Sequence, residues 1–163
     1  MKHQKIIILD FGSQYTQLIA RRLRELSVYS EILPYSTSLE EVEAQAPVGI
    51  ILSGGPRSVS DPDAPRADPR LLELGIPVLG VCYGMQWMTD VLGGDVSRAP
   101  HREYGHVIVE LDQTLSLFKK VPSEIRVWAS HGDFVTAPPP GFTTLATSEN
   151  APVVAMADVK RNL

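Results

Sequence analysis

Residues 5–10 read K-I-I-I-L-D, a short run of apolar side chains that are mostly β-branched. Such a run is typical of a strand that is buried on both faces of a parallel sheet. Two further runs have the same character, V-G-I-I-L-S at 48–53 and I-P-V-L-G-V at 76–81. Segments with helical patterns separate the runs. This alternation predicts a doubly wound α/β fold with a mostly parallel sheet and flanking helices.

Local signals mark where the helices begin and end. Ser13 is expected to be the N-cap of the first helix. Ser38 and Glu41 have the spacing of a capping box for the second. A later helix is predicted at 85–92, where two glycines follow it. The second half of the chain then predicts an added antiparallel part with strands at 105–111, 125–130, 142–147 and 152–157.

Composition excludes several classes of protein. The 163 residues suffice for one domain with a sizeable core, and the net charge of −4 without a basic run argues against a nucleic-acid partner. The N-terminal apolar run is too short for a signal peptide or a membrane span. A single cysteine, with no C-x-x-C or H-E-x-x-H spacing, predicts no disulfide and no metal site. We therefore expect a cytoplasmic protein without a membrane partner.

The single cysteine lies in G-V-C-Y-G-M-Q, residues 80–86. Its G-x-C-x-G frame matches the nucleophile elbow G-x-S-x-G, with sulfur in place of oxygen. Glycines relieve crowding in such a sharp strand-to-helix turn, and we expect the N-terminus of the following helix to favour the thiolate of Cys82. The Tyr83 amide would point toward an oxyanion formed there. Alternatively, Cys82 is a small buried hydrophobe that extends the strand.

A cysteine nucleophile needs a base, most often histidine. Among the four histidines, His131 in W-A-S-H-G-D follows a predicted strand and precedes Asp133 by two residues. One interpretation is therefore a triad of Cys82, His131 and Asp133. The other is a strand-to-loop turn at 130–133 whose polar side chains satisfy local backbone groups.

Gly54, Gly55 and Pro56 close the second apolar run and also allow two interpretations. They are not a phosphate-binding loop, since G-x-x-x-x-G-K-[ST] is absent. They form either an ordinary tight turn or a turn whose amides lie beside Cys82 as a second oxyanion donor.

Five segments together carry a family resemblance. They are L-D-F-G-S-Q-Y-T-Q-L-I-A-R-R-L-R-E-L (9–26), I-L-S-G-G-P-R-S-V (51–59), G-V-C-Y-G-M-Q (80–86), R-E-Y-G (102–105) and W-A-S-H-G-D (128–133). In this order they resemble the glutamine amidotransferase domain of the GMP synthases, within class I of the glutamine amidotransferases. The resemblance implies a class-I amidotransferase-like, flavodoxin-like fold for a single domain over residues 1–163.

The resemblance also implies an activity and its residues. Cys82 would attack the side-chain amide of glutamine and form a thioester, releasing ammonia for the conversion of XMP to GMP in purine nucleotide biosynthesis. Gly55 and Tyr83 would supply the oxyanion-hole amides. The residues implied to hold glutamine are Gly54, Gln86, Ser130, His131, Gly132 and Asp133. His131 then belongs to the glutamine site and is not the base.

In the family, ammonia passes to an ATP-pyrophosphatase domain, fused or separate. The nucleotide loop of that domain, S-G-G-x-D-S, does not occur here. ATP and Mg would therefore belong to the partner domain, and no cofactor is expected in this chain.

The family's catalytic histidine and glutamate lie in a Q-F-H-P-E segment, which would follow the residues seen here as 153–163. We therefore expect an amidotransferase domain that is incomplete at its C-terminus, belongs to a longer protein and is poorly active by itself. The alternative is a non-catalytic amidotransferase-like module that binds glutamine or a partner domain.

Overall fold

The first apolar run forms an inner strand of a parallel sheet. The computed structural model describes residues 4–163, except for the side chains of residues 99–104 and 116. Strand β1 (Lys5–Asp10) pairs with β2 (Tyr29–Pro34) on one edge and with β3 (Gly49–Leu52) on the other. Its three central side chains are fully buried, namely Ile7, Ile8 and Leu9. The predicted strand is confirmed with both of its bounds.

Strand β4 (Val78–Gly80) completes a four-stranded sheet in the order β2-β1-β3-β4, in which every pair is parallel. The direction of winding reverses between β1 and β3. In open α/β sheets, ligands bind outside the carboxyl ends of the strands at such a switch point. This topology confirms the predicted parallel part of the fold.

Two helices connect the first three strands, and a third follows β4. They are α1 (Thr16–Glu25), α2 (Leu39–Ala44) and α3 (Tyr83–Val91). A 3₁₀ helix at Pro69–Glu73 lies between β3 and β4. None of the helices in the described part of the chain is long and apolar enough to cross a membrane.

The capping predictions have different outcomes. The Ser38 hydroxyl accepts a hydrogen bond from the Glu41 amide, and the Glu41 carboxylate accepts one from the Ser38 amide, so the capping box of α2 is confirmed. Ser13 is not the N-cap of α1, because that position belongs to Tyr15. The Ser13 hydroxyl instead accepts from the Tyr15 amide at 3.0 Å and closes a turn before the helix.

The remaining strands belong to a second structural unit, residues 89–159, whereas the parallel sheet belongs to residues 4–88 and 160–163. The second unit holds an antiparallel sheet in the order β6-β5-β7-β8. Its strands are β5 (Asp95–Leu111), β6 (Glu124–Ala137), β7 (Thr143–Ser148) and β8 (Ala155–Ala157). The predicted antiparallel part is therefore confirmed, although β5 and β6 are much longer than expected.

The length of β6 corrects one interpretation. One of the two interpretations placed a strand-to-loop turn at residues 130–133, but these residues continue β6. His131 is paired with Glu103 of β5, and Ser130 with Tyr104. The turn interpretation is wrong because the backbone groups of this polar segment are paired with β5.

Candidate active site

Three neighbouring strands end at one edge of the parallel sheet, and each is followed by a turn. β1 ends at Asp10, β3 ends just before Ser53, and β4 ends at Gly80. A Cβ built on Gly54 would lie 3.4 Å from Ser13 Oγ and 3.6 Å from Cys82 Cβ. The turns after the three strands therefore meet at this edge.

Cys82 lies between the end of β4 and the start of α3. Its backbone is in the left-handed region at φ = 51°, a conformation that costs a residue with a Cβ about 1–2 kcal/mol. The residue is exposed to solvent. The predicted strand-to-helix turn is confirmed, and the interpretation of Cys82 as a hydrophobe buried within a strand is wrong.

Helix α3 begins immediately after Cys82, two residues earlier than its pattern predicts. The Gln86 amide donates a hydrogen bond to the Cys82 carbonyl at 3.0 Å, so Cys82 is the acceptor for the first turn of α3. The Cys82 side chain is therefore at a helix N-terminus, where backbone amides and the helix dipole favour negative charge.

The two glycines of the G-x-C-x-G frame allow the helix start to approach two strands closely. A Cβ on Gly80 would lie 2.7 Å from the Met85 amide nitrogen and 2.8 Å from the Gly84 carbonyl oxygen. A Cβ on Gly84 would overlap the Leu52 carbonyl at the end of β3. Any side chain at either position would displace α3, and the position of Cys82 depends on α3.

The Gly54–Gly55 turn lies next to Cys82 and close to the segment after β1. A Cβ on Gly55 would approach the Phe11 carbonyl oxygen to 2.7 Å. None of the described residues accepts a hydrogen bond from the Gly55 amide. This amide can therefore donate to a bound molecule.

Ser53 connects these turns, although no motif in the sequence marks it as a site residue. Its side chain is fully buried. The hydroxyl accepts from the Phe11 amide at 2.9 Å and donates to the Gly54 carbonyl at 2.8 Å. The Ser53 carbonyl accepts from the Gly84 amide at 3.0 Å. The only sequence signal for this role is a polar residue that closes an apolar strand before two glycines.

The side chains of Tyr83 and Gln86 point into the protein. Tyr83 is fully buried, its hydroxyl donates to the Pro65 carbonyl at 2.7 Å, and its ring centroid lies 5.3 Å from that of Phe11. Gln86 is 5% exposed. The Tyr83 side chain therefore has a structural role, whereas its amide belongs to the first turn of α3.

The other predicted site residues lie in the second unit, on β6. Ser130 is exposed, and His131, Gly132 and Asp133 are half-buried. Asp133 is paired with Arg98 of β5, and a register shift separates this pair from the pair of His131 and Glu103. These residues form one continuous strand segment, whereas Gly54, Gly55, Cys82, Tyr83 and Gln86 belong to the unit that holds the parallel sheet.

The arrangement around Cys82 is suited to nucleophilic catalysis. It combines an exposed thiol, a helix N-terminus behind it and an amide available in the neighbouring turn. Among residues with a described position, no group of three or more His, Cys, Asp or Glu side chains could hold a metal ion.

Comparison with known proteins gives consistent matches. The model of the family "Glutamine amidotransferase class-I" matches residues 7–162. The glutamine-hydrolysing GMP synthase of Caldanaerobacter subterraneus subsp. tengcongensis is 52% identical over 163 residues, which are 100% of this chain and 32% of that protein. The enzyme of the same name from Pediococcus pentosaceus is 54% identical over 96% of this chain and 31% of its own length. The chain thus spans about one third of the length of these relatives.

Solved structures share the fold. A protein from Thermoplasma acidophilum, provisionally assigned as one of the subunits of GMP synthase, has a TM-score of 0.81 and 28% identity, with 99% of this chain and 81% of that chain covered. A glutamine amidotransferase from Thermotoga maritima has a TM-score of 0.76, with 96% of this chain and 72% of that chain covered. At 24% identity, this second likeness concerns the fold alone.

Proposed function

Because this chain belongs to the class-I glutamine amidotransferases, we propose that it hydrolyses the side-chain amide of glutamine and supplies ammonia for GMP synthesis. Its relatives at 52% and 54% identity are named as glutamine-hydrolysing GMP synthases. Those names do not favour a non-catalytic module that only binds glutamine or a partner. Residues 1–163 are then part of an amidotransferase domain, and its partner is an ATP-pyrophosphatase domain, fused or separate, that converts XMP to GMP.

The observation that carries this proposal is the position of Cys82. It is an exposed thiol at φ = 51°, directly before α3 and next to Gly54 at the edge of the parallel sheet. A buried structural cysteine needs neither the strained backbone nor the exposure. Both are features of a nucleophile that a substrate must reach.

The proposed reaction has two stages. The Cys82 sulfur attacks the side-chain carbonyl carbon of glutamine, and the carbonyl oxygen becomes an oxyanion that accepts hydrogen bonds from the Gly55 and Tyr83 amides. The carbon–nitrogen bond then breaks, ammonia leaves with the thiol proton that the general base has taken from Cys82, and a thioester remains. Water attacks the thioester carbonyl, glutamate leaves, and the thiol is restored.

We assign Gly54, in the unit that holds the parallel sheet, to the glutamine site. Gly54 presents no side chain beside Cys82, so the carbonyl group of a substrate can approach the sulfur. The family resemblance further implies glutamine-binding roles for Gln86 and for the β6 residues Ser130, His131, Gly132 and Asp133. The general base would be the histidine of the family's Q-F-H-P-E segment, with its glutamate as orienting partner.

The test is glutamate formation from glutamine by the full-length protein that contains this chain. We expect Cys82→Ala to lower the rate to less than about 1% of wild type, because the covalent route is lost. Cys82→Ser is a nearly isosteric second variant. If its unfolding temperature matches that of wild type, the elbow is retained, and a loss of activity is then due to the missing thiol. Ser60→Ala changes an exposed loop side chain and should leave the rate unaltered. Full glutaminase activity in Cys82→Ala would contradict the proposal.

A further inference from the structure

We propose that Ser53 is a positioning residue that orients the Gly55 amide toward the substrate oxyanion, a role that rests on the glutamine hydrolysis proposed above. Ser53 is fully buried between the end of β3 and the Gly54–Gly55 turn. Its side chain can therefore act only through the groups that it contacts.

The hydroxyl of Ser53 has one proton, and the distances indicate where it goes. The hydroxyl oxygen accepts from the Phe11 amide at 2.9 Å, which leaves its own proton for an acceptor. The Gly54 carbonyl lies at 2.8 Å, whereas Asp10 Oδ1 lies at 3.5 Å. The Asp10 oxygen already accepts from the Thr16 hydroxyl at 2.8 Å and from the Gly12 amide at 2.9 Å. The Ser53 proton is therefore assigned to the Gly54 carbonyl.

This hydrogen bond determines the direction of the next amide. The Gly54 carbonyl and the Gly55 N–H belong to the same peptide plane, and in a trans peptide they point in opposite directions. When Ser53 holds the carbonyl on its own side, the N–H faces the other way. A hydrogen bond to the carbonyl also polarises the peptide and makes its N–H a stronger donor.

The position needs such support because a peptide between two glycines is the easiest to rotate. None of the described residues accepts a hydrogen bond from the Gly55 N–H, so no acceptor on the donor side holds the plane. The Ser53 hydroxyl is thus the group that resists rotation of this peptide.

The backbone of Ser53 makes a separate link. Its carbonyl accepts from the Gly84 amide at the start of α3, which keeps the turn next to the cysteine elbow. A change in the Ser53 side chain leaves this link in place. The effect on the Gly55 amide can therefore be separated from the effect on the elbow.

The experiment compares two reactions of Cys82 in the full-length protein carrying Ser53→Ala. Glutamine hydrolysis passes through an oxyanion. Alkylation by iodoacetamide instead forms a sulfur–carbon bond at a saturated carbon while iodide leaves, and no oxyanion forms. Loss of one oxyanion donor typically costs about 10²–10³-fold in kcat, and a misdirected donor costs part of that. We expect kcat for glutamine to fall about 10- to 100-fold, with KM and the alkylation rate within about twofold of wild type.

Ser30→Ala is the matched control. Ser30 is also buried, at 2% exposure, and its hydroxyl donates to the Ala20 carbonyl at 3.4 Å. It should leave kcat and alkylation within about twofold of wild type. A Ser53→Ala protein with unchanged kcat overturns the role of Ser53, and so does one that loses hydrolysis and alkylation in parallel. If Cys82→Ala still hydrolyses glutamine, the proposed function fails instead, and the two failures are distinguishable.

Discussion

The Tyr83 hydroxyl donates a hydrogen bond of 2.7 Å to the Pro65 carbonyl, and it does so from the first residue of α3. The Tyr83 ring is fully buried, with its centroid 5.3 Å from that of Phe11. The residue after the cysteine therefore connects the start of the helix with the loop at 57–68 and with the segment after β1. This contact explains why a large aromatic side chain occupies the second variable position of the G-x-C-x-G frame.

Tyr83→Phe is expected to loosen this loop. The substitution removes only the hydroxyl and leaves the Pro65 carbonyl without this donor, which should cost about 1–2 kcal/mol of the free energy of unfolding in urea. Trypsin cleavage after Arg57 and Arg66 should become faster than in wild type. Tyr29→Phe is the control, since it removes a hydroxyl bonded to Glu31 at the surface. If the two variants had equal free energies of unfolding and equal cleavage rates, the Tyr83–Pro65 hydrogen bond would not stabilise the loop.

Two glycine substitutions should separate folding from substrate access. In Gly84→Ala the new Cβ would overlap the Leu52 carbonyl, so we expect a loss of about 1–3 kcal/mol or more and slower alkylation of Cys82. In Gly54→Ala the new Cβ would be in van der Waals contact with Ser13 and Cys82 and fits without moving the backbone.

Gly54→Ala should therefore keep the wild-type unfolding midpoint and lose glutamine turnover, because the methyl group would cover the approach to the sulfur. Urea unfolding and glutamate formation measure the two effects. A Gly54→Ala protein with wild-type turnover would rule out the assignment of Gly54 to the glutamine site.

The parallel sheet could be predicted because a strand that is buried on both faces needs a continuous run of apolar residues, which is visible in the sequence. Lys5–Asp10 is a continuous apolar run and forms β1 with the same bounds. Cys82 could be found in the same way, since the glycines that its turn requires are its near neighbours in the chain.

The remaining features depend on partners far away in the sequence. The segment at 130–133 has no strand pattern of its own, and it is extended because β5 pairs with it. The role of Ser53 depends on the Phe11 amide, which β1 brings to the end of β3. Neither Ser53 nor residues 130–133 carry a local signal for what they contact.

Asp68 should make stability depend on pH through Arg70. The Arg70 guanidinium, and next the Arg70 amide, hydrogen-bond the Asp68 carboxylate and hold its pKa below the ordinary value of 3.8. A folded-state pKa below the unfolded one stabilises the protein above pH 3.8, and this contribution is lost as pH falls through the folded-state pKa.

Asp68→Asn should therefore lower the urea midpoint at neutral pH, and the difference from wild type should shrink in acid. Asp68 is the N-cap of the 3₁₀ helix at Pro69–Glu73, and asparagine also caps helices well, so the variant mainly removes the charge. Glu73→Gln, in the same 3₁₀ helix, is the control for the change in net charge. A difference between Asp68→Asn and wild type that stays constant down to acid pH would contradict this assignment.

His131 distinguishes substrate binding from base catalysis. If it holds glutamine, His131→Ala in the full-length protein should raise KM about tenfold, equivalent to about 1.4 kcal/mol, and lower kcat by less than that. The Cys82 thioester should still form, and its added mass can be measured after an acid quench.

A histidine base typically contributes about 10²–10⁴-fold to the rate, so the loss of such a base would lower kcat. His106→Ala, an exposed histidine on β5, is the matched control and should leave both constants unchanged. A His131→Ala enzyme with unchanged KM, kcat reduced more than about 100-fold and no thioester would instead make His131 the base for Cys82.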